Sequence, residues 1–307
     1  MERVSIPPQE APAMRTRHAA NLAGALWMVA AMAGFTLEDA MIKGASSTIP
    51  IAQILVTFGI GGALVFAGLA RWAGESLFTP EVLSFPMRLR VVFEITGRLF
   101  YVLALALIPL SAATVILQAT PVVVVAAAAL VFGERVGWRR WSAILLGMGG
   151  VLVIIRPGTD SFSMLSLLAV AGMLGFAGRD LASRAAPATL GTNVLGLYGF
   201  LAVAVAGVIV SLWSDAAFVL PERRACLLLA GAVLCGVCAY SCLMKAMRTG
   251  EVSAVTPFRY VRLIFGVALG VLLFGERLTS PMLLGSAMIL LSGLFIMWRS
   301  AKMPKRT

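Results

Sequence analysis

Charge is what this chain has least of. Only 13% of its 307 residues are Asp, Glu, Lys or Arg, about half the share of an ordinary soluble domain. With 60% hydrophobic residues and a mean hydropathy of +0.95, a water-exposed surface is excluded and the chain reads as an integral membrane protein. Histidine is nearly missing: the single one, His18, lies in an N-terminal tail and cannot complete a metal site or a serine-type triad. Alternating polarity is missing too. Residues 122–130 are continuously apolar, and no two-residue alternation persists, which excludes a transmembrane β-barrel. Residues 1–18 hold Pro7, Pro8, Pro12 and scattered charge but no apolar stretch ending in a small-residue cleavage site, so no signal peptide is read and the first helix is expected to stay attached. Connectors are short, the longest being 71–90, which leaves no room for a soluble domain.

What remains is apolar runs. Crossing about 30 Å of hydrocarbon takes about 20 residues of helix, and ten runs qualify: 19–42, 51–70, 91–108, 111–131, 141–155, 163–182, 193–213, 225–247, 253–274 and 281–298. Phe132-Gly133-Glu134-Arg135 returns as Phe274-Gly275-Glu276-Arg277, 142 positions later. At that offset Ser111-Ala112-x-Thr114 falls on Ser253-Ala254-x-Thr256, and the halves align without a gap to the last run of each. Such internal repetition sets the architecture. Five helices per copy is an odd number, so the second copy enters the membrane from the opposite side. With the N-terminus inside, 16 basic residues fall on the cytoplasmic side and 5 outside, as the positive-inside rule requires. The expected fold is all-α, with ten transmembrane helices as two inverted five-helix repeats (5+5) and both termini cytoplasmic. Its parts are a tail over 1–18, repeats over 19–158 and 159–300, and a basic tail over 301–307. The formal charge of +11 is then mostly an orientation signal. It is spread over separate cytoplasmic segments rather than one surface with stacking aromatics, so nucleic-acid binding is excluded.

Inverted repeats recur in secondary transporters, where related halves expose one site alternately to each side. The run from Ala104-Leu105 through Pro109-Leu110-Ser111-Ala112, Pro121, Phe132-Gly133-Glu134-Arg135, Arg140-Trp141 and Gly150-Val151 to Arg156-Pro157-Gly158 resembles the EamA type of the drug/metabolite transporter superfamily. The second half resembles it again through Ser253-Ala254, Gly275-Glu276-Arg277, Gly285 and Gly293. The resemblance implies a ten-helix carrier in a bacterial inner membrane, moving amino acids, other metabolites or drugs, often outward, through a cavity lined by both halves. The chain departs from many relatives at Phe58, where they carry an arginine, so a substrate assignment resting on an arginine in the second helix is weakened.

Ionisable groups inside membrane helices are costly, by roughly 2.5–3.5 kcal/mol at the centre on insertion scales, and so mark pathways or buried pairs. Glu38 and Asp39 lie toward the outer end of the first helix, and Glu38 falls on Asp180 at the repeat offset, beside Arg179. Either these carboxylates meet a substrate ammonium or a proton, or they pair locally, as Asp39 and Lys43 at i,i+4 could. Glu94 and Arg98, also four apart with Tyr101 beyond, read as an intrahelical pair facing the bundle or as a coupling element. Arg259 and Arg262 share one helix face after Pro257 with no acid in the same span. Guanidiniums hold carboxylates or phosphates bidentately, so they read as substrate ligands or as partners for Glu94 or Asp180. Gln118 and Tyr240 are neutral candidates, Gln118 falling on Tyr260 across the repeat. The substrate-binding set is thus Arg259, Arg262, Glu38, Asp39, Asp180, Gln118, Tyr101 and Tyr240; Glu94, Arg98, Arg179 and Lys43 are candidates for proton coupling or gating.

Other motifs read as structure. Gly59, Gly61, Gly62, Gly147, Gly149 and Gly150 allow close helix approach, Glu134 and Glu276 belong to turns, and Cys235, Cys238 and Cys242 are small residues in an apolar span rather than a metal site. No catalytic group, metal or cofactor is indicated, so the chain is not read as an enzyme. The expected function is export of small polar metabolites, amino acids first, by alternating access, with anionic metabolites such as phosphorylated sugars, or drugs, as the alternative cargo, and a membrane-embedded enzyme or a channel as the remote alternative. The expected partners are that small molecule and membrane lipid, the protein acting as a monomer or a homodimer.

Overall fold

A computed structural model describes residues 10–131, 138–155, 163–185, 187, 189–249 and 256–301. Among these residues all regular structure is helical: α1 (Glu10–Ala45), α2 (Ile51–Trp72), α3 (Phe85–Leu107), α4 (Leu110–Leu117), α5 (Thr120–Val131), α6 (Trp138–Ile155), α7 (Ser166–Arg184), α8 (Thr192–Trp213), α9 (Arg223–Thr249), α10 (Val261–Phe274) and α11 (Ser280–Ala301), with 3-10 turns at Pro80–Leu83 and Thr256–Tyr260. Each of the ten apolar runs carries helix. Four stretches, Ala20–Ala45, Ile51–Trp72, Thr192–Trp213 and Arg223–Ala246, are by themselves long and apolar enough to cross a membrane. The first helix differs from expectation at its start, since residues 10–18 of the polar tail are already helical.

Two of the runs are interrupted. The fourth breaks between α4 and α5 at Gln118-Ala119, where Pro121 has no N–H to give the preceding turn. The last turn of α4 tightens instead: Ala119 N–H reaches the Ile116 carbonyl at 3.1 Å, and the Thr120 hydroxyl donates to the Leu117 carbonyl at 2.5 Å. In the ninth, the described residues start with the 3-10 turn Thr256–Tyr260, containing Pro257, and become α-helical at Val261. It ends at Gly275, whose φ of 61° is left-handed. The Gly275 N–H returns to the Val271 carbonyl, the single bond of an αL helix cap, and the Glu276 N–H reaches back to Gly270. The glycine of the second Phe-Gly-Glu-Arg therefore ends a helix, as expected; the first copy lies outside the described residues.

The helices pair closely: α1 along α9, α2 along α8, α3 along α7, α6 along α11, and α4 along α10. All these pairs run antiparallel, and small residues set their spacing. A Cβ on Gly59 would enter the backbone of Ala204, and one on Gly62 the ring of Phe200. On Gly147 it would stand 2.7 Å from the Ser292 hydroxyl, and on Gly150 2.8 Å from the Gly285 carbonyl. Gly149 by contrast meets only Met288 at ordinary contact distance. Without a hydrophobic drive between helices in lipid, such close backbone approach supplies the packing attraction. Buried Tyr101, Phe58, Phe66, Leu105, Leu110 and Ile116 fill the middle.

Candidate substrate-binding site

The charged residues of five helical elements converge in this middle. On α1, Glu38 and Asp39 are both only 1% exposed. Arg98 of α3 reaches Glu38 with Nη1 at 2.6 Å from Oε1, its guanidinium lying 5.2 Å from the ring centre of Phe58 and 5.9 Å from that of Phe176. Arg262 of α10 donates to Asp39 Oδ2 at 2.5 Å, and the Tyr101 hydroxyl donates to the same oxygen at 3.0 Å. A second group lies alongside. Arg179 contacts Glu94 at 3.4 Å and Asp180 at 2.8 Å, Arg90 stands 3.9 Å from Glu94, and Arg259 stands 3.8 Å from Asp180. Tyr240 packs edge-on against Phe66, within electrostatic reach of Arg90, Glu94, Arg179 and Asp180. The Gln118 amide donates to the Arg259 carbonyl at 3.0 Å, so the break between α4 and α5 directly holds the turn that precedes α10.

Pairing departs from local spacing. Lys43 does not pair with Asp39; it donates to the carbonyls of Leu105 and Ile108, at 2.9 and 2.7 Å, where α3 ends. Glu94 and Arg98 do not pair with each other, because side chains on α1 and α7 offer each a buried counter-charge. Lys43 therefore stands apart, while the other eleven candidates gather in the middle. The structure adds residues that spacing alone left out. Arg90, counted with the cytoplasmic charges, is 3% exposed and donates from Nε to Ser183 at 3.0 Å; its i,i+4 spacing to Glu94 was the available signal. Phe58, where many relatives carry arginine, instead supplies a ring beside Arg98. Phe35 does the same for Arg262 at 5.4 Å.

The centre has unused bonding capacity. Glu38 Oε2, Asp39 Oδ1, Arg98 Nε and Arg262 Nε make no hydrogen bond among the described residues, whereas buried polar atoms are nearly always bonded. Exposure is uneven across the cluster: 4% at the Arg90 side chain and 6% at Glu94, 12% at Arg98, 15% at Arg262, 23% at Asp180 and 29% at Arg259. Beyond the charges, toward the end where α3 stops and α4 begins, the helices are clamped together. There Glu276, just beyond α10, accepts from the Leu110 N–H at 2.6 Å with Oε1 and from the Ser111 N–H and hydroxyl at 3.0 and 2.6 Å with Oε2. A carboxylate on free helix-terminal amides is favoured by hydrogen bonding and by the helix dipole. Gly266 and Gly270 bring α10 so close to α4 that an added Cβ on Gly266 would meet Thr114 at 2.5 Å.

A bundle that gathers opposite charges from both halves at its centre is the form of a solute carrier, and the sequence agrees on which kind. The EamA-like transporter family matches residues 22–156 and again 163–298. The chain belongs to this family. It is a multi-pass membrane transporter, not an enzyme. Among EamA-like relatives, the pseudopaline exporter CntI of Pseudomonas aeruginosa (strain UCBPP-PA14) is 32% identical over 88% of this chain and 94% of its own. The riboflavin transporter of Vibrio cholerae is 27% identical over 92% and 95%, and the S-adenosylmethionine uptake transporter of Rickettsia prowazekii 21% over 92% and 94%. A solved crystal structure shares the fold with a TM-score of 0.61 at 23% identity, over 91% of this chain and 98% of that one.

Proposed function

We propose that this EamA-family protein exports amino acids or amino-acid-like metabolites across the bacterial inner membrane by alternating access. Two inverted five-helix repeats form it, and both termini face the cytoplasm. The observation that carries the reading is the meeting of carboxylates and guanidiniums from both halves at the bundle centre. Substrate carboxylate and ammonium groups can compete there for partners the protein already holds: Arg259 or Arg262 for the former, Asp180, Glu38 or Asp39 for the latter. Helix pairing supports the inverted repeat. Exchanging first- and second-half spans turns the α1·α9 pair into α3·α7 and returns α2·α8, α4·α10 and α6·α11 to themselves, as a two-fold axis in the membrane plane requires. The named exporter relative supports outward flux, and the basic residues support the orientation. On that orientation the end clamped by Lys43 and Glu276 is read as the closed, periplasmic one.

Purified protein in liposomes, assayed for counterflow of a labelled amino-acid panel with and without a pH gradient, tests this. Saturable counterflow of at least one amino acid is expected. A second reading, a carrier of phosphorylated sugars, draws on the neighbouring Arg259 and Arg262; inhibition by sugar phosphates with no movement of any amino acid would establish it and end the first.

A further inference from the structure

The charge balance of the centre narrows the substrate, on the carrier reading given above. Among the described residues four carboxylates, Glu38, Asp39, Glu94 and Asp180, meet five guanidiniums, Arg90, Arg98, Arg179, Arg259 and Arg262. Around α1 the pairing is one to one, Glu38 with Arg98 and Asp39 with Arg262. Around Glu94 and Asp180 three guanidiniums share two carboxylates, so one positive charge is left over. Arg90 and Arg179 are the more firmly held of the three, Arg90 by its bond to Ser183 and Arg179 by contacts to both acids. Among the described residues Arg90 and Arg259 each have one carboxylate contact, at 3.9 and 3.8 Å, but the Arg90 side chain is 4% exposed while that of Arg259, at 29%, is the most exposed of the nine and the one a solute meets. The Arg259 backbone is nonetheless fixed by Gln118, so the loosely paired guanidinium projects from a held position.

A charge removed from water without a partner is costly, and the surplus at Arg259 must be met by whatever the closing carrier encloses. A neutral zwitterion brings one positive and one negative group and leaves the surplus unmet; a cationic amino acid doubles it. We infer that the carrier selects amino acids and amino-acid conjugates bearing one carboxylate more than they bear ammonium groups, with Arg259 as the specificity-determining residue that receives the additional carboxylate. Asp180, Glu38 and Asp39 remain the partners for the ammonium.

L-Glutamate and L-glutamine have nearly the same shape and differ by one charge, so counterflow of each, labelled, in liposomes holding the wild-type protein isolates the charge term. Glutamate should move at least tenfold faster than glutamine at equal low concentration. R259Q should bring that ratio near one or invert it, and R259K should keep glutamate ahead. Glutamine moving as fast as glutamate in the wild type would overturn the inference while leaving the amino-acid carrier standing. So would an R259Q protein that transports with the wild-type ratio. If R259Q does not assemble, the wild-type ratio decides. Movement of neither compound, nor of any other amino acid, would end the amino-acid reading itself and this inference with it.

Discussion

At the clamped end, Glu276 and Lys43 direct their charges at backbone: the first two N–H groups of α4 and the last carbonyls of α3. In the centre, Glu38 and Asp39 meet guanidiniums from α3 and α10 instead. The two arrangements differ in what can displace them. A helix terminus is matched by a side chain of the protein, and a solute has no route to substitute for it short of moving the helix. A guanidinium–carboxylate pair can be opened by any molecule that brings its own carboxylate and ammonium. Closure is therefore built from bonds that only helix movement breaks, and recognition from bonds that substrate can replace.

Four substitutions break or sharpen this contrast, in falling order of effect. D39N leaves Arg262 buried without its counter-charge and should cost about 3–5 kcal/mol of stability, seen as a lowered unfolding temperature in detergent, together with loss of counterflow. E276Q removes the charge from three bonds to α4 and should cost about 1–3 kcal/mol. Because its effect falls on the closed end, it should raise the reactivity of a cysteine placed at Thr114 toward an impermeant thiol reagent added from that end; unchanged reactivity would show that the clamp is not part of the closure. K43M loses two bonds to the α3 terminus and should cost about 1–2 kcal/mol, with transport reduced but present. C238S, at an exposed free thiol, should change stability by less than about 0.5 kcal/mol and leave counterflow at the wild-type rate, which makes it a suitable step toward the cysteine-free background the labelling requires.

The sequence made the helices and the charged positions legible because both follow from local costs. An apolar run of about 20 residues and an ionisable group within it are each recognisable without knowing any neighbour. Partners were not legible. Arg98 and Glu38 stand 60 residues apart and Arg262 and Asp39 223 apart, and which faces meet depends on helix rotation set by packing between α1, α3 and α10. The local i,i+4 rule accordingly offered Asp39 to Lys43 and Glu94 to Arg98, pairings worth only a few tenths of a kcal/mol on a helix surface, which buried counter-charges on other helices easily outweigh. Glu276 is the instructive case. Its repeated motif identified a turn correctly, but its reach to Ser111, 165 positions earlier, depends on α10 lying against α4 at glycine distance, which no spacing in either half encodes.

The most direct test of the account is trans-stimulation in liposomes. Vesicles preloaded with an unlabelled substrate amino acid should take up the labelled compound faster than empty vesicles, saturably, and vesicles carrying D39N should not. Flux that rises linearly with concentration, is indifferent to preloading and survives D39N would contradict a carrier that binds its substrate among these charges.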